Sequence, residues 1–385
     1  VKILLLHNRY QIAGGEDTTV AAEKSLLESH GHMVVFHEVS NIEIAGAWSR
    51  AKVAGQVIYN RAARRRVADE LARHRPDIVH VHNFFPLLSP SVYYACRAAG
   101  VPVVQTLHNY RLLCSNALFF RDGRPCEDCL GKTVPWPGVW HGCYRQSRAA
   151  TVPVVAMLTA HRAFGTWRKA VDRYIVMTEF AREKFIAGGL PADRIVVKPH
   201  FVDPAPAPGE GRGGYALYAG RLSQEKGVQT LLSAWKQIGS TLPLKIVGDG
   251  PLATAQGGGE WLGRRSREEV FELMREAAVL IFPSICYETF GIAIAEAFAA
   301  GTPVIASRLG SMASLVEHGR TGLHFEAGNA DDLAKQVRWF LEHPVEAQQM
   351  RRAARAEFEA KYTAERNYRM LMEIYQAAIQ RRKCC

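Results

Sequence analysis

The sequence predicts an α/β chain made of two parallel-sheet units. Two observations carry this expectation. Short runs rich in Val, Ile and Leu, with little polar alternation, recur between segments of helical spacing, as in a sheet covered on both faces. The recurrence breaks once, at the Pro- and Gly-rich stretch PHFVDPAPAPGEGRGG (199–214), which has linker character, and then restarts. A length of 385 residues, 48% of them apolar, suits two domains of ordinary size.

In the first half, KILLLHN (2–8) is a buried strand, RYQIAGGEDTT (9–19) a loop, VAAEKSLLESHGH (20–32) a helix and MVVFHEV (33–39) a second strand, the start of a βαβ unit. DIVHVHN (77–83) and VPVVQTLHN (101–109) are strands ending in polar residues, and YIVMTEFAREKF (174–185) is a strand followed by a helix. After the linker come strands at 215–220, 243–250, 279–284 and 302–307, with helices at 227–239, 331–343 and 356–380. The expected boundaries are 1–200, 201–365 and a final helix, 366–385, that packs back on the first domain. Ligands of open parallel sheets lie beyond the carboxyl ends of the strands, so the cleft between two such domains is the expected site.

Composition narrows the function. A formal charge of +11 favours anionic partners such as nucleotides, phosphorylated sugars or acidic membrane surfaces. The opening VKILLLH is a first strand rather than a secretory signal. ATVPVVAMLTA (150–160) falls short of the roughly 20 apolar residues of a membrane span. The expected location is therefore cytoplasmic, with peripheral contact at the inner face of a membrane left open. Eight cysteines in such a compartment point to metal or free thiols before disulfides.

One run stands out. In CYETFGIAIAEAFAAGTPVIAS (286–307), Glu288 and Glu296 bracket an otherwise apolar stretch. A helix from about Ile292 to Ala300, apolar all round, is a buried helix, and an unpaired carboxylate inside it is costly. Glu296 therefore needs a protein cation or a ligand, such as the vicinal hydroxyls of a ribose. Glu288 precedes the helix N-terminus, where the backbone N–H groups of Phe290, Gly291 and Ile292 can hold an anion or sugar oxygens. Arg221 and Lys226 follow the first strand of the second domain, where both suit a diphosphate. Gly14 and Gly15 open the first loop and let backbone amides approach oxygens, although a plain strand-to-helix turn explains them equally well. His108, and more weakly His82 and Asn83, close strands of the first domain.

YETFGIAIAEAFAAGTPVIAS resembles the E-x7-E region of glycosyltransferase family 4, the retaining group 1 enzymes of GT-B fold. YAGRLSQEKGVQTLLSAW (218–235) resembles the family's G-R-L-x-x-x-K-G segment, and IVGDGP (246–251), LVEHGRTGLHFEAGNADDLA (315–334) and VMTEFAREKF (176–185) also fit. The resemblance spans most of the chain and is densest in its second half. It implies two Rossmann-like domains facing each other across a cleft, the first binding an acceptor and the second a nucleotide-sugar donor. It implies that Arg221 and Lys226 bind the donor diphosphate, Glu296 the ribose and Glu288 the donor sugar. It places Gly14 and Gly15 near the donor phosphate and His108 beside the donor sugar near the reacting centre. It also implies retention by a front-side mechanism, with the catalytic set His108, Arg221, Lys226 and Glu288. The chain contains no D-x-D triplet, which suits catalysis without a metal cofactor. UDP-sugars are favoured on family frequency, with GDP-sugars second, and base choice is expected from 249–267 and 284–287. The acceptor is a saccharide, a lipid-linked saccharide or a small molecule.

The segment 114–143 departs from the family pattern. Its Cys114, Cys126, Cys129 and Cys143 could close a structural zinc site, with His141 as a substitute ligand; reduced thiols or a disulfide remain equally open. Its aromatics, Phe119, Phe120, Trp136, Trp140 and Tyr144, belong to the segment's own small core or to an acceptor groove. RAKVAGQVIYNRAARRR (50–66) is a solvated helix face or a headgroup-binding one. Cys384 and Cys385 carry no assignment. The competing readings are a nucleotide-sugar epimerase, a sugar phosphorylase, a non-catalytic nucleotide-sugar binder and a basic zinc-ribbon nucleic-acid binder. The last needs a basic stripe with exposed aromatics, whereas cations here cluster only at 61–66, so no nucleic-acid partner is expected.

Overall fold

The computed structural model describes residues 1–11, 14–44, 46–253 and 257–383. Cys384 and Cys385 lie outside the described residues, as do 254–256 of the expected base-selecting stretch. The chain divides into two compact units. One comprises Val1–Phe119, Glu127–Lys198 and Asn367–Cys385, and the other Phe120–Cys126 and Pro199–Arg366.

In the first unit, six strands form an all-parallel sheet: β1 (Lys2–Arg9), β2 (Met33–Ser40), β3 (Ile78–Val81) and β4 (Val103–Thr106), then, beyond the short hairpin strands β5 (Phe120–Arg121) and β6 (Arg124–Pro125) of the other unit, β7 (Arg173–Val176) and β8 (Ile195–Val197). Their order is β2-β1-β3-β4-β7-β8. Ile3 to Leu6 are fully buried, as the unbroken apolar run requires of a central strand. The final helix, Ala364–Lys383, places Leu371, Ile374, Tyr375 and Ala378 in the same core as Ile3, Leu5 and Ile78.

The second unit has β9 (Ala216–Ala219), β10 (Leu244–Val247), β11 (Glu260–Gly263), β12 (Val279–Phe282), β13 (Val304–Ser307) and β14 (Gly322–Phe325), in the order β11-β10-β9-β12-β13-β14. This is the doubly wound Rossmann order, whose direction reverses between β9 and β12; ligands of such sheets bind outside the carboxyl ends of the strands at that point. In the first unit the order reverses between β1 and β3. The stretch read as one helical region at 356–380 is two helices, Pro344–Lys361 and Ala364–Lys383. Tyr362 at the break is buried against Phe290 and Phe298.

Candidate active site

At the switch point of the second unit, the loop after β9 carries Gly220 and Arg221, and the loop after β12 carries Ser284 and Glu288. Tyr218 Oη donates to the Arg221 carbonyl at 2.7 Å, which fixes the chain there. The two loops touch. Gly227, at φ 70°, lies so close to β12's end that a Cβ would sit 1.9 Å from the Pro283 carbonyl oxygen, so only glycine fits. This turn presents Lys226, whose Nζ meets Glu288 Oε1 at 2.6 Å; Ser284 Oγ donates to the same oxygen at 2.7 Å. Burial pulls the Lys226 pKa down, but the Glu288 carboxylate and the Cys286 thiol outweigh it and the net shift is upward, so Lys226 is a firm cation. The Arg221 guanidinium is exposed, and no carboxylate pairs with it among the described residues.

Glu296 lies on the helix Ile292–Ala299, which starts at Gly291 in left-handed conformation (φ 88°). Burial raises its pKa, and Arg267, with Nε 3.5 Å from Glu296 Oε1, pulls it back only in part. The expected partner thus includes a protein cation, one of the two alternatives, and it is Arg267, which no motif marked. At 3.5 Å, with Arg267 Nε buried and lacking an aligned hydrogen bond, the pair is loose. The Phe290 ring is buried against His200 and Tyr362, so only its backbone is available to a donor.

In the first unit, Gly14 caps the helix Gly15–Ser29 with φ −133°, and a Cβ there would meet nothing within 4 Å. The protein's own packing does not demand glycine at that point, which leaves a ligand's approach or the plain turn to explain it. The Gly14 N–H is engaged by Asp17 Oδ2 at 3.0 Å. His108 stands just past β4, stacked on His82 with His82 Nδ1 and His108 Nε2 3.0 Å apart. Asn83 lines a small cavity beside this pair, and its amide donates to the Asn8 carbonyl and accepts from the Phe85 N–H, which ties the end of β1 to the loop after β3. The same cavity is lined by Tyr10, Phe85, His108, Asn109 and Arg111.

The model of the family "Glycosyltransferase Family 4" matches residues 33–206, and that of "Glycosyl transferases group 1" matches residues 208–357. The chain belongs to glycosyltransferase family 4. Curated relatives include the D-rhamnosyltransferase WbpZ of Pseudomonas aeruginosa, 34% identical over 39% of this chain and 42% of its own length. The glycogen synthase of Mycobacterium tuberculosis is 32% identical over 42% of each. These matches thus span less than half of either relative. Among solved structures, Anabaena HepE in complex with UDP and glucose superposes with a TM-score of 0.67 at 18% identity, over 98% of this chain and 99% of its own; the likeness establishes the GT-B fold.

Several buried polar residues beside the candidate site of this family 4 chain were invisible in its sequence motifs. Glu23 is buried at 2% exposure beneath the His82–His108 pair, with Lys198 Nζ 3.0 Å from Oε2 and His80 Nδ1 3.1 Å from Oε1. A signal for it existed: Glu23 falls on the buried stripe of Thr19, Val20, Leu26 and Leu27, where a solvated glutamate does not belong. Glu16, in the first helical turn, has its pKa raised to about 8 by burial and by Asp17, and Asn109 Nδ2 lies 3.5 Å from its Oε2. Of the four clustered cysteines, Cys114, Cys129 and Cys143 belong to the first unit and Cys126 to the second. Cys114 is hydrogen-bonded to Asn116 Oδ1 at 2.9 Å. Phe119 is core, whereas Trp136 and Trp140 are exposed.

Proposed function

We propose that the chain transfers a sugar, with retention, from a nucleotide-diphosphate sugar to an acceptor hydroxyl. The observation that carries this reading is the gathering of Arg221, Lys226, Ser284 and Glu288 at the switch point of the second unit. Arg221 and Lys226 neutralise the charge that develops on the departing diphosphate, a need otherwise met by a divalent ion. Glu296 and the backbone of 290–292 take the ribose and donor oxygens. The sugar C1–O bond to the diphosphate breaks, the acceptor oxygen bonds to C1 on the same face, and the acceptor proton passes to the leaving phosphate oxygen. UDP is favoured over GDP; the UDP bound to HepE supports this choice.

The acceptor side is assigned to the first unit. There, Trp48, 91% exposed, sits beside Arg50 and Lys52 on the helix Gly46–Gln56, and Arg61, Arg64, Arg65 and Arg66 are exposed on the next helix. An aromatic among cations suits peripheral contact with anionic headgroups and a lipid-linked acceptor. No described helix is long and apolar enough to cross a membrane.

A thermal-shift panel with UDP, GDP, ADP, TDP and CMP tests the donor reading. A ligand at 100 times its Kd stabilises by about 2.7 kcal/mol, so one clear responder is expected; no response from any nucleotide overturns the reading. Retention is checked by the anomeric configuration of the product, and metal independence by unchanged turnover in chelator. Metal analysis after chelator washing tests the cysteines: about one zinc equivalent supports a structural site, and none supports plain thiols.

A further inference from the structure

The polar groups beneath His108 form a chain whose proton positions are dictated step by step. It starts at Glu23. An ionised carboxylate only accepts hydrogen bonds. Burial favours its neutral form, but Lys198 and then His80 outweigh that and hold Glu23 well below the usual carboxylate range. His82 is next. Its Nε2 lies 3.2 Å from Glu23 Oε1, an ion-pair contact rather than an aligned hydrogen bond, and neither atom has a hydrogen-bond partner. A nitrogen lone pair turned toward the carboxylate would be repelled by it, so the nitrogen facing the carboxylate carries the proton. Burial first, and the neighbouring His80 second, push the His82 pKa down to about 3, so the ring is neutral and holds a single proton. His82 Nδ1 is therefore a lone pair. It faces His108 Nε2 at 3.0 Å, and a lone pair there requires His108 Nε2 to be the donor.

We propose that Glu23 and His82 are positioning residues that fix His108 as its Nε2–H tautomer, so that Nδ1 is the accepting nitrogen of the neutral ring. The group that meets Nδ1 must then be a donor, such as a sugar hydroxyl, rather than a phosphate oxygen. This consequence rests on the transferase reading above; the tautomer itself does not.

The same three side chains bring potential metal-ligand atoms of Glu23, His80 and His82 within 4.8 Å of one another. A cation does not suit them. Both His80 nitrogens are taken, by Tyr375 Oη and Thr106 Oγ1 at 2.8 Å each, and the Lys198 ammonium already occupies Glu23 Oε2. The set is built around protons and an ammonium.

The test is imidazole 15N NMR of the full chain, labelled at histidine, at a pH where His108 is neutral. The His108 resonances are assigned by their loss in His108→Gln. The expected spectrum shows a protonated Nε2 and a bare Nδ1, and a protonated Nδ1 overturns the proposal. In His82→Phe, which removes the acceptor, His108 should become a mixture of tautomers; an unchanged spectrum in a folded variant overturns the role given to His82. If that variant does not fold, the wild-type spectrum and Glu23→Gln decide, since a Gln amide can donate to His82 Nε2 and release the chain. Turnover in Glu23→Gln should fall at least about ten-fold while the nucleotide-induced thermal shift, which reads the other unit, stays unchanged. A wild-type chain with the expected tautomer but no nucleotide response would sink the transferase reading alone.

Discussion

Lys198 offers the sharpest test of what holds the first unit together. Its side chain and that of Glu23 are each 2% exposed, and Nζ donates to Glu23 Oε2 at 3.0 Å and to Asn367 Oδ1 at 2.9 Å. Lys198→Met keeps most of the aliphatic stem and deletes the ammonium. Breaking a fully buried pair in this way costs about 3–5 kcal/mol, because a charge is left in low dielectric without its counter-charge. Solvent does not screen the pair, so the full cost applies. The assay is amide hydrogen exchange at Leu4–Leu6 and Ile78–Val81, the slowest-opening kind of core strand. At 1.4 kcal/mol per decade, protection there should fall by about 10²–10⁴-fold. The pH dependence has a definite sign. The Glu23 pKa is depressed in the folded state, so its contribution is present above the ordinary value of 4.5 and is lost as pH falls through the folded value. The variant should therefore be weakened at neutral pH and lose its difference from the parent in acid. A loss below about ten-fold at neutral pH would place the pair with exposed ion pairs, at about 0–1 kcal/mol, and exclude a buried, unscreened pair as the source of the unit's stability.

Arg221→Ala and Lys226→Ala should each lower turnover by about 10²–10³-fold in steady-state assays with little change in melting temperature; near-normal rates would remove the diphosphate assignment. Glu296→Ala should weaken nucleotide affinity in calorimetric titration, and unchanged affinity would return that carboxylate to its pairing with Arg267 alone. Gly227→Ala, with a Cβ forced to 1.9 Å from a carbonyl oxygen at φ 70°, should lose at least about 2 kcal/mol in denaturant unfolding. The Glu16 pKa, raised to about 8, makes the folded state hold a proton that the unfolded chain has released above about 4.5. Stability of the first unit should thus decline as pH rises from 5 through 8, and Glu16→Gln should flatten that slope.

The sheet architecture was legible because a parallel sheet leaves a local trace. Each strand is an apolar run a few residues long, and the linker interrupts their recurrence in composition alone. The candidate residues of the second unit stood out for a related reason: most sit in loops at the ends of consecutive motifs, where Gly, Arg and Glu contrast with apolar neighbours, and Glu296 interrupts an apolar helix. Arg267 escaped because it opens a helix of mixed charge, RSREEVFELMRE (265–276), in which nothing distinguishes it from solvated neighbours. Only the fold brings it to Glu296. The same holds more strongly for Lys198, which meets Glu23 across 175 positions. Contacts of that separation have no sequence signature beyond the mismatch of a charge on an apolar stripe.

That mismatch is the more general lesson of the first unit. Glu23, His80, His82 and Lys198 are all buried at 3% exposure or less, an arrangement that costs desolvation at every member. Apolar residues of similar volume would fill the same space with less electrostatic risk. What they could not do is order protons. A carboxylate fixed by an ammonium imposes a direction on the imidazole above it, and that imidazole imposes one on His108. His80 serves a second purpose, tying the final helix through Tyr375 to β3, which ends just before His82. The buried charges therefore join the return of the chain's end to the orientation of one ring at the strand termini. If they served packing alone, Glu23→Gln paired with Lys198→Met would restore much of the stability lost by Lys198→Met and leave turnover at the parent level. The proton-ordering argument requires the first result without the second: hydrogen-exchange protection recovered in the double variant, with turnover still depressed and the His108 tautomer still mixed.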